Sequence, residues 1–545
     1  MLTLCQRWRA GRGRGGRREV WRAVRSPQLA GVARSGGVRR RWLGTATDVP
    51  PHGASPAPTR RPQCDADCGA DADLAPTGSR ARGSVPAPGR RLRHPAGSDP
   101  AGDDGTQSAS AREILRLAVP ALGALIAEPL FLLADSAIVG HLGAAQLAGL
   151  GTAGTALGTL VNICVFLAYG TTAQVARLLG AGDRRGALAR GVDGIYLAAA
   201  LGLVLAAAGV LFAPQVVRLL GATDAAAPYA VTYLRVSALG LPAMLAVLAA
   251  TGLLRGLQDT RTRLLVAAAA AVANTALNWV LVYPAHLGIA GSALGTVLVQ
   301  GAMAAAYVAA VARAARAHQV ALRPDAAAVR ASLGANAALL LRTVALRIYL
   351  LAAVWTAGSY GTVALAAHTI ATNLWMTLAL ALDALAIAAQ ALVGRDLGAG
   401  RPERVRATVR RMVRWGLGFG LLTGLALWAA RPLYVPLFTA DPQVRAALLP
   451  VLALAALFQP AAGAVFVLDG VLIGAGDAAY LARAGLGCTA VFLAGLAVLH
   501  AAAPHGGSST LIGLWLVIGV FTLARWAVLT ARARSDAWLR TGPAT

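Results

Sequence analysis

The stretch Glu128-Pro-Leu-Phe-Leu-Leu-Ala-Asp135-Ser-Ala-Ile-Val-Gly140-His-Leu-Gly143 closes an apolar run that begins near Leu117 and is long enough to cross a bilayer. Two carboxylates interrupt it. Glu128 and Asp135 stand seven residues apart, about two helical turns, so they share one helix face. An acid in a membrane span costs roughly 2.5–3.5 kcal/mol on insertion scales, and such residues usually line a cavity or an ion path. Holding an Asp protonated at pH 7 costs about 4 kcal/mol, from a reference pKa near 3.9 at about 1.36 kcal/mol per unit. The penalties are comparable. Asp135 is therefore placed to exchange between charged and neutral forms, as an ion-coupled machine requires.

The chain around this stretch has 545 residues, is 57% hydrophobic with a mean hydropathy of +0.59, and is only 14% charged. Soluble domains carry about 25% charged residues, so this composition belongs to a polytopic membrane protein. All fifty basic residues are Arg. The net charge of +26 invites a nucleic-acid reading, but much of it sits in the N-terminal extension and in loops between spans, where membrane topology accounts for it. No nucleic-acid partner is expected. Of the cysteines, Cys164 and Cys488 fall in apolar spans, and Cys64-x3-Cys68 is a metal or disulfide signal too weak to separate from chance. No resident cofactor or metal is expected. The chain lacks a paired His/Glu metal motif, a Gly-x-Ser-x-Gly elbow and a phosphate loop, so it does not read as an enzyme.

Residues 1–110 are rich in Arg, Gly, Pro and Ala and have no sustained apolar period, which reads as a disordered extension. Its first 45 residues carry one acid, Glu19, and loosely match an organellar transit peptide; the simpler reading is an upstream extension or an early start codon. From Ala111 the pattern predicts an all-α membrane protein of twelve transmembrane helices. The spans fall at about 114–141, 147–176, 187–217, 226–253, 262–284, 288–312, 332–357, 362–393, 408–430, 444–474, 479–503 and 510–531. These group as a first six-helix lobe (111–318), a linker (319–331), a second lobe (332–535) and a tail (536–545). Pro120, Pro129, Pro242 and Pro460 suit membrane helices that bend. Loops after the even-numbered spans carry nineteen arginines and those of opposite parity three, which places both termini in the cytoplasm. The expected location is the plasma (inner) membrane, with lipid as the surrounding partner.

One offset recurs along the chain. Gly140-x-x-Gly143 returns as Gly358-x-x-Gly361, Leu179-Gly-Ala-Gly182 as Leu397-Gly-Ala-Gly400, Pro242 as Pro460, and Asp259 as Asp477, all by the same displacement. Four landmarks in one register argue for a six-plus-six duplication. Six is even, so the halves are parallel repeats about an axis along the membrane normal, with a cleft between them.

Several stretches resemble the multidrug and toxic compound extrusion (MATE) transporters of the MOP superfamily, particularly the DinF-like branch. In the first half they are Glu128 through Gly143, Ala273-Asn-Thr-Ala-Leu-Asn278 and Gly291-Ser-Ala-Leu-Gly-Thr296. In the second they are Ala366-Ala-His-Thr-Ile370, Leu382-Asp-Ala-Leu-Ala-Ile-Ala-Ala-Gln390 and Leu468-Asp-Gly-Val-Leu-Ile-Gly-Ala-Gly-Asp477. The resemblance covers about 112–535 and is specific in combination. It implies two six-helix lobes forming a V, exporting organic and often cationic compounds against a proton or sodium gradient. It also matches Asp135 to an acid in the first-lobe cavity and Asn274 with Asn278 to a polar pair beside it. Several relatives have Asp at the second position of that pair. Asn278 departs from this pattern, which favours a proton as the coupling ion, with sodium as the alternative.

Each residue also has a plainer reading. Asp135 would otherwise be a structural acid capped by neighbouring helices. Glu128 precedes Pro129 and would otherwise bond backbone freed by a kink, and the two asparagines would be interhelical glue. In the second half, Asp383 and Gln390 share a helix face and Asp469 lies two spans on. Arg342 and Arg347 are their candidate partners in a structural network or gate, since a buried Arg almost requires an acid. His368 reads as packed and hydrogen-bonded before it reads as a proton relay. Asp259 and Asp477 read as helix caps. Aromatics such as Tyr169, Trp279, Tyr349 and Trp375 read as interfacial anchors before cation receivers. The expected function is a cation-coupled antiporter, acting as a monomer. A lipid-linked-sugar flippase of the same superfamily is the rival; its strongly basic cavity is disfavoured because acids outnumber arginines within the apolar spans.

Overall fold

Apolar runs of this length must satisfy their backbone groups internally, and they do so as helices. The computed structural model describes residues 108–502 and 508–542, so readings on the N-terminal extension, Cys64 and Cys68 included, lie outside the described residues. The first repeat contains α1 (Ala111–Gly140), α2 (Ala144–Ile163), α3 (Phe166–Gly180), α4 (Arg184–Leu219), α5 (Ala227–Ala238), α6 (Leu241–Gly256), α7 (Thr260–Val282) and α8 (Gly288–Ala317). The second contains α9 (Ala326–Ser359), α10 (Thr362–Gly398), α11 (Pro402–Ala429), α12 (Arg431–Phe438), α13 (Pro442–Gly474), α14 (Ala478–Ala502) and α15 (Ser508–Arg534). Eleven candidate spans are long and apolar enough to cross a membrane, and α5 with α6 makes a twelfth if counted as one bent span. Outward-facing side chains such as Leu133 (66% exposed) and Leu203 (63%) suit lipid rather than water.

Two spans of the first repeat are interrupted. The second breaks at Cys164-Val165 between α2 and α3, and the fourth bends by 53° between α5 and α6. Pro242 opens α6 just past that bend, with Gly240 before it, and a proline both lacks an N–H and disfavours helix in the residue ahead. The equivalent Pro460 lies inside α13, which runs on unbroken with Phe458 where the first repeat has Gly240. α1 likewise continues through Pro120 and Pro129. Aspartates start several helices, as sequence predicts for Asp259, whose Oδ1 accepts from the Thr262 N–H at 3.1 Å. Asp325 does the same for α9, which therefore begins at Ala326, ahead of the expected span. Asp477 differs, because its carboxylate pairs with Arg532 Nε at 2.7 Å.

The repeat register is written into the packing. A Cβ on Gly252 would strike the carbonyl of Ala168, and one on Gly470 the carbonyl of Ala386. Gly256 and Gly474 face the carbonyls of Thr172 and Gln390 in the same way. Both members of each pair shift by the displacement that relates Pro242 to Pro460. The halves themselves meet where α3 and α10 end. Gly180 packs on the carbonyl of Arg395, and its image Gly398 packs on the carbonyl of Arg177. The second glycine of each Leu-Gly-Ala-Gly motif serves the turn instead, with φ of 82° at Gly182 and 71° at Gly400.

Apolar packing follows this division. One core, including Leu117, Leu167, Leu392, Leu472 and Trp538, joins both repeats near the arginine-rich face. Further along the helices the cores separate, one around Val139, Tyr233 and Leu241 and another around Leu448, Phe492 and Trp515. Gly398→Ala should lower stability by about 1–3 kcal/mol through overpacking, read as a lower unfolding temperature of the purified protein. Gly487→Ala, where a Cβ meets open space, should leave it unchanged or slightly raised. Equal responses of the two variants would contradict the close approach.

Candidate functional site

Asp135 of α1 is 2% exposed and meets donors from three other helices. Its Oδ2 accepts from the Tyr233 hydroxyl of α5 at 3.1 Å. Its Oδ1 accepts from Asn278 Nδ2 of α7 at 2.9 Å and from the Ser292 hydroxyl of α8. A second row supports the first. Asn278 Nδ2 also donates to Asn274 Oδ1 at 3.0 Å, and Asn274 Nδ2 donates to Thr296 Oγ1 at 3.3 Å. Gly295 makes room for Asn278, whose Oδ1 occupies the space a Cβ would take and is buried without a partner.

Every group bonded to this carboxyl is neutral. Among the described residues, the other buried aspartates have arginines: Asp193 has Arg190 at 4.0 Å, Asp396 has Arg395 and Arg404, and Asp469 has Arg342 and Arg525. Asp135 has none of these within ion-pair distance, and in this conformation it is closed off from solvent. The structure therefore brings Asp135, Asn274 and Asn278 together. Glu128 lies on α1, but its side chain is outside the described residues. Tyr233, Ser292 and Thr296 were missed as site residues, although the Gly291–Thr296 stretch that carries two of them is visible in the sequence.

In the second repeat, Arg342 Nη2 bonds Asp469 Oδ2 at 2.7 Å, and the second arginine on Asp469 is Arg525 rather than the expected Arg347. Asp383 takes no direct bond in this arrangement but lies within electrostatic reach of Arg255, Arg263 and Arg342. Gln390 Nε2 crosses between repeats to the Tyr169 carbonyl at 2.8 Å. His368 Nε2 lies 3.4 Å from Thr372 Oγ1. His368 and Arg347 both line a cavity of about 240 Å³ with Trp375 and Trp515. Trp279 is 54% exposed on the outer surface, while Tyr349 stacks on Phe521 at 4.3 Å between centroids.

The expected excess of in-span acids is corrected. Buried arginines are Arg177, Arg255, Arg263, Arg342 and Arg404, against Asp135, Asp193, Asp396 and Asp469. The helices run past their apolar windows, so arginines read as loop residues are buried in helix ends. Several of them build a clamp between the repeats. Arg395 of α10 bonds Glu113 of α1 at 2.7 Å, Asp396 at 3.1 Å and Gln258 Oε1 at 3.2 Å, while Arg404 of α11 reaches Asp396 at 3.2 Å and Glu113 at 3.3 Å. Arg177 donates to the carbonyls of Ala475, Arg540 and Gly542, tying the C-terminal segment to the same face. Glu113 was missed, because an acid in a helix's first turn reads as a dipole partner.

Two parallel six-span repeats clamped at one face, with a buried polar centre in the first and a cavity in the second, define a secondary membrane transporter. The MatE family profile matches residues 120–280 and 338–499, and the chain belongs to this family. It is 31% identical over 452 residues to "Protein DETOXIFICATION 44, chloroplastic" of Arabidopsis thaliana, covering 79% of this chain and 83% of that one. It is 27% identical over 431 residues to "DNA damage-inducible protein F" of Escherichia coli, covering 78% and 92%. Among solved structures, the Vibrio cholerae MATE transporter VcmN in the bent form superposes with a TM-score of 0.71 at 21% identity, covering 78% of this chain and 98% of that one.

The two kinds of buried acid predict different responses. Asp469→Ala leaves Arg342 and Arg525 without their anion and should cost about 3–5 kcal/mol of stability. Asp135→Asn strands no charge and should cost about 1–3 kcal/mol or less. Thermal unfolding of the purified variants checks the order, and a greater loss for Asp135→Asn would contradict the charge accounting.

Proposed function

We propose that the protein exports amphipathic organic compounds in exchange for protons by alternating access, in the plasma membrane, with both termini and the arginine-rich face in the cytoplasm. The observation that carries this reading is Asp135, a buried carboxyl held by three neutral donors from three other helices and by no cation among the described residues. Protonating an ion-paired acid strands its arginine, whereas protonating Asp135 strands no counter-charge and removes a charge the membrane already disfavours. The surplus of arginines on the loops of one face supports the orientation. The Glu113–Arg395–Arg404 clamp is then the cytoplasmic gate, closed in this conformation. The Arg-rich first 45 residues and the relative named as chloroplastic favour an organellar membrane as a second location.

A proton on Asp135 turns one oxygen from acceptor to donor, so its three incoming bonds can no longer all stand. On Oδ2 it displaces the Tyr233 hydroxyl. Tyr233 rides on α5, the short arm of the span that bends at Leu239-Gly240, so its release frees that arm to move. On Oδ1, the oxygen that Asn278 holds, the new O–H instead finds an acceptor in Asn278 Oδ1 once the amide turns, which withdraws Nδ2 from Asn274. One proton thereby loosens contacts among α1, α5, α7 and α8. Cargo and proton oppose each other equally, by reciprocity. Loss of the proton to the less acidic cytoplasm resets the site.

Organic cations are the cargo class implied by the family resemblance. The hydroxyl and amide oxygens of Ser292, Thr296, Asn274 and Asn278 support sodium as a second coupling ion. A lipid-linked-sugar flippase would need a strongly basic central cavity, whereas most of the buried arginines here are engaged by Asp396, Asp469 or backbone carbonyls.

Efflux from vesicles, followed with a cationic and an anionic dye while proton and sodium gradients are imposed separately, tests the reading. A proton gradient alone should drive wild-type export, and Asp135→Asn should fall to passive leak. Tyr233→Phe should slow export by about tenfold, within the usual range of coupling between sites. Unchanged export by Asp135→Asn would sink the assignment, and export driven only by sodium would replace the coupling ion.

A further inference from the structure

The cavity of about 240 Å³ in the second repeat lies between α9, α10 and α15. Ala353, on its wall, is the residue that the repeat register sets in place of Asp135, and Phe492 and Leu496 replace Asn274 and Asn278. The second repeat thus has apolar residues where the first has the acid and its amides, with Phe492 and Leu496 packed in the core and Ala353 on the cavity wall.

The polar groups on its wall point to one ligand chemistry. Arg347 makes no ion pair with any described residue. Trp515 Nε1 is buried without a hydrogen-bond partner, and so is His368 Nδ1; both residues are 2% exposed. Guanidinium and indole N–H groups only donate. Where the Thr372 hydroxyl donates to His368 Nε2 at 3.4 Å, Nδ1 carries the ring proton and is a donor too. Among the described residues, no carboxylate lines the space. A cation there would meet Arg347, with the Thr372 and Tyr349 hydroxyls as the acceptors among the lining side chains. A carboxylate would satisfy the guanidinium in its preferred paired geometry. The remaining walls are apolar and aromatic, with Trp375 and Trp515 edge to face at 6.1 Å. Pockets for drug-sized ligands start at about 300 Å³, so this space suits something smaller.

We propose that this cavity is a binding site for small aromatic carboxylates, with Arg347 as the charge partner and the Trp375 and Trp515 rings as apolar walls. Its role as a cargo site rests on the export reading, while binding rests on the cavity alone. The test is calorimetric titration of the purified full chain with naphthalene-2-carboxylate, naphthalene-2-carboxamide and 2-naphthylmethylammonium. The carboxylate should bind at least about tenfold tighter than the amide, a difference of about 1.4 kcal/mol, with the ammonium weakest. Arg347→Gln should abolish the preference and Arg347→Lys retain part of it. Equal binding of the three ligands by the wild type, tightest binding of the ammonium, or an intact preference in Arg347→Gln would overturn the assignment. No gradient is involved, so the two readings fail separately. If no gradient drives export of any compound, the export reading falls and a carboxylate preference stands. If export works and the three ligands bind alike, only the cavity assignment falls.

Discussion

A carboxyl shut inside an apolar slab must find hydrogen bonds, a counter-ion or a proton, and Asp135 has been given only the first. Its donors come from α5, α7 and α8, so one titratable group holds four helices together. That arrangement is stable in either protonation state but not with the same set of bonds, because a protonated oxygen stops accepting. The other buried aspartates are fixed by arginines and have no such freedom. Charge pairing makes Asp396 and Asp469 structural, and its absence leaves Asp135 available for exchange.

The duplicated architecture explains why movement of one repeat against the other is feasible. Contacts between repeats gather at the arginine-rich face, where Gly180 and Gly398 let α3 and α10 approach to backbone contact and where Glu113, Arg395, Asp396 and Arg404 interlock. Beside these polar and backbone contacts lies the apolar core shared by both repeats, while the cores around Val139 and Leu448 stay within their own repeats. Separating the repeats away from this face leaves those two cores intact, whereas opening the clamp also parts the shared core around Leu167, Leu392 and Leu472. The repeats have also diverged in stiffness, since the bend at Gly240 and the break at Cys164 have no counterpart in α13 and α10.

Much of this was legible in the sequence, for identifiable reasons. Hydropathy marks the spans because the bilayer fixes their length, and the constant register marks the repeat because turn and contact glycines tolerate no substitute. Asp135, Asn274 and Asn278 were legible because polar residues in an apolar span need one another. Tyr233, Ser292 and Thr296 were not, since a hydroxyl in a membrane helix satisfies itself on its own backbone as readily as on a distant acid. Arg347 was misassigned for a related reason. A buried arginine predicts an acid, but Asp469 is shared by Arg342 and Arg525, and Arg347 opens on a cavity instead. Glu113 and Arg395 stand in opposite halves of the chain, beyond the reach of any local pattern.

The central claim is that a single unpaired carboxyl is the charge exchanged for cargo. Proton release on cargo binding tests it most directly, read with a permanently charged dye as cargo in weakly buffered solution near the pH where the site titrates. Reciprocity predicts that the wild type releases up to about one proton per dye bound and that Asp135→Asn binds dye without releasing any. Release of the same number of protons by Asp135→Asn would contradict the account.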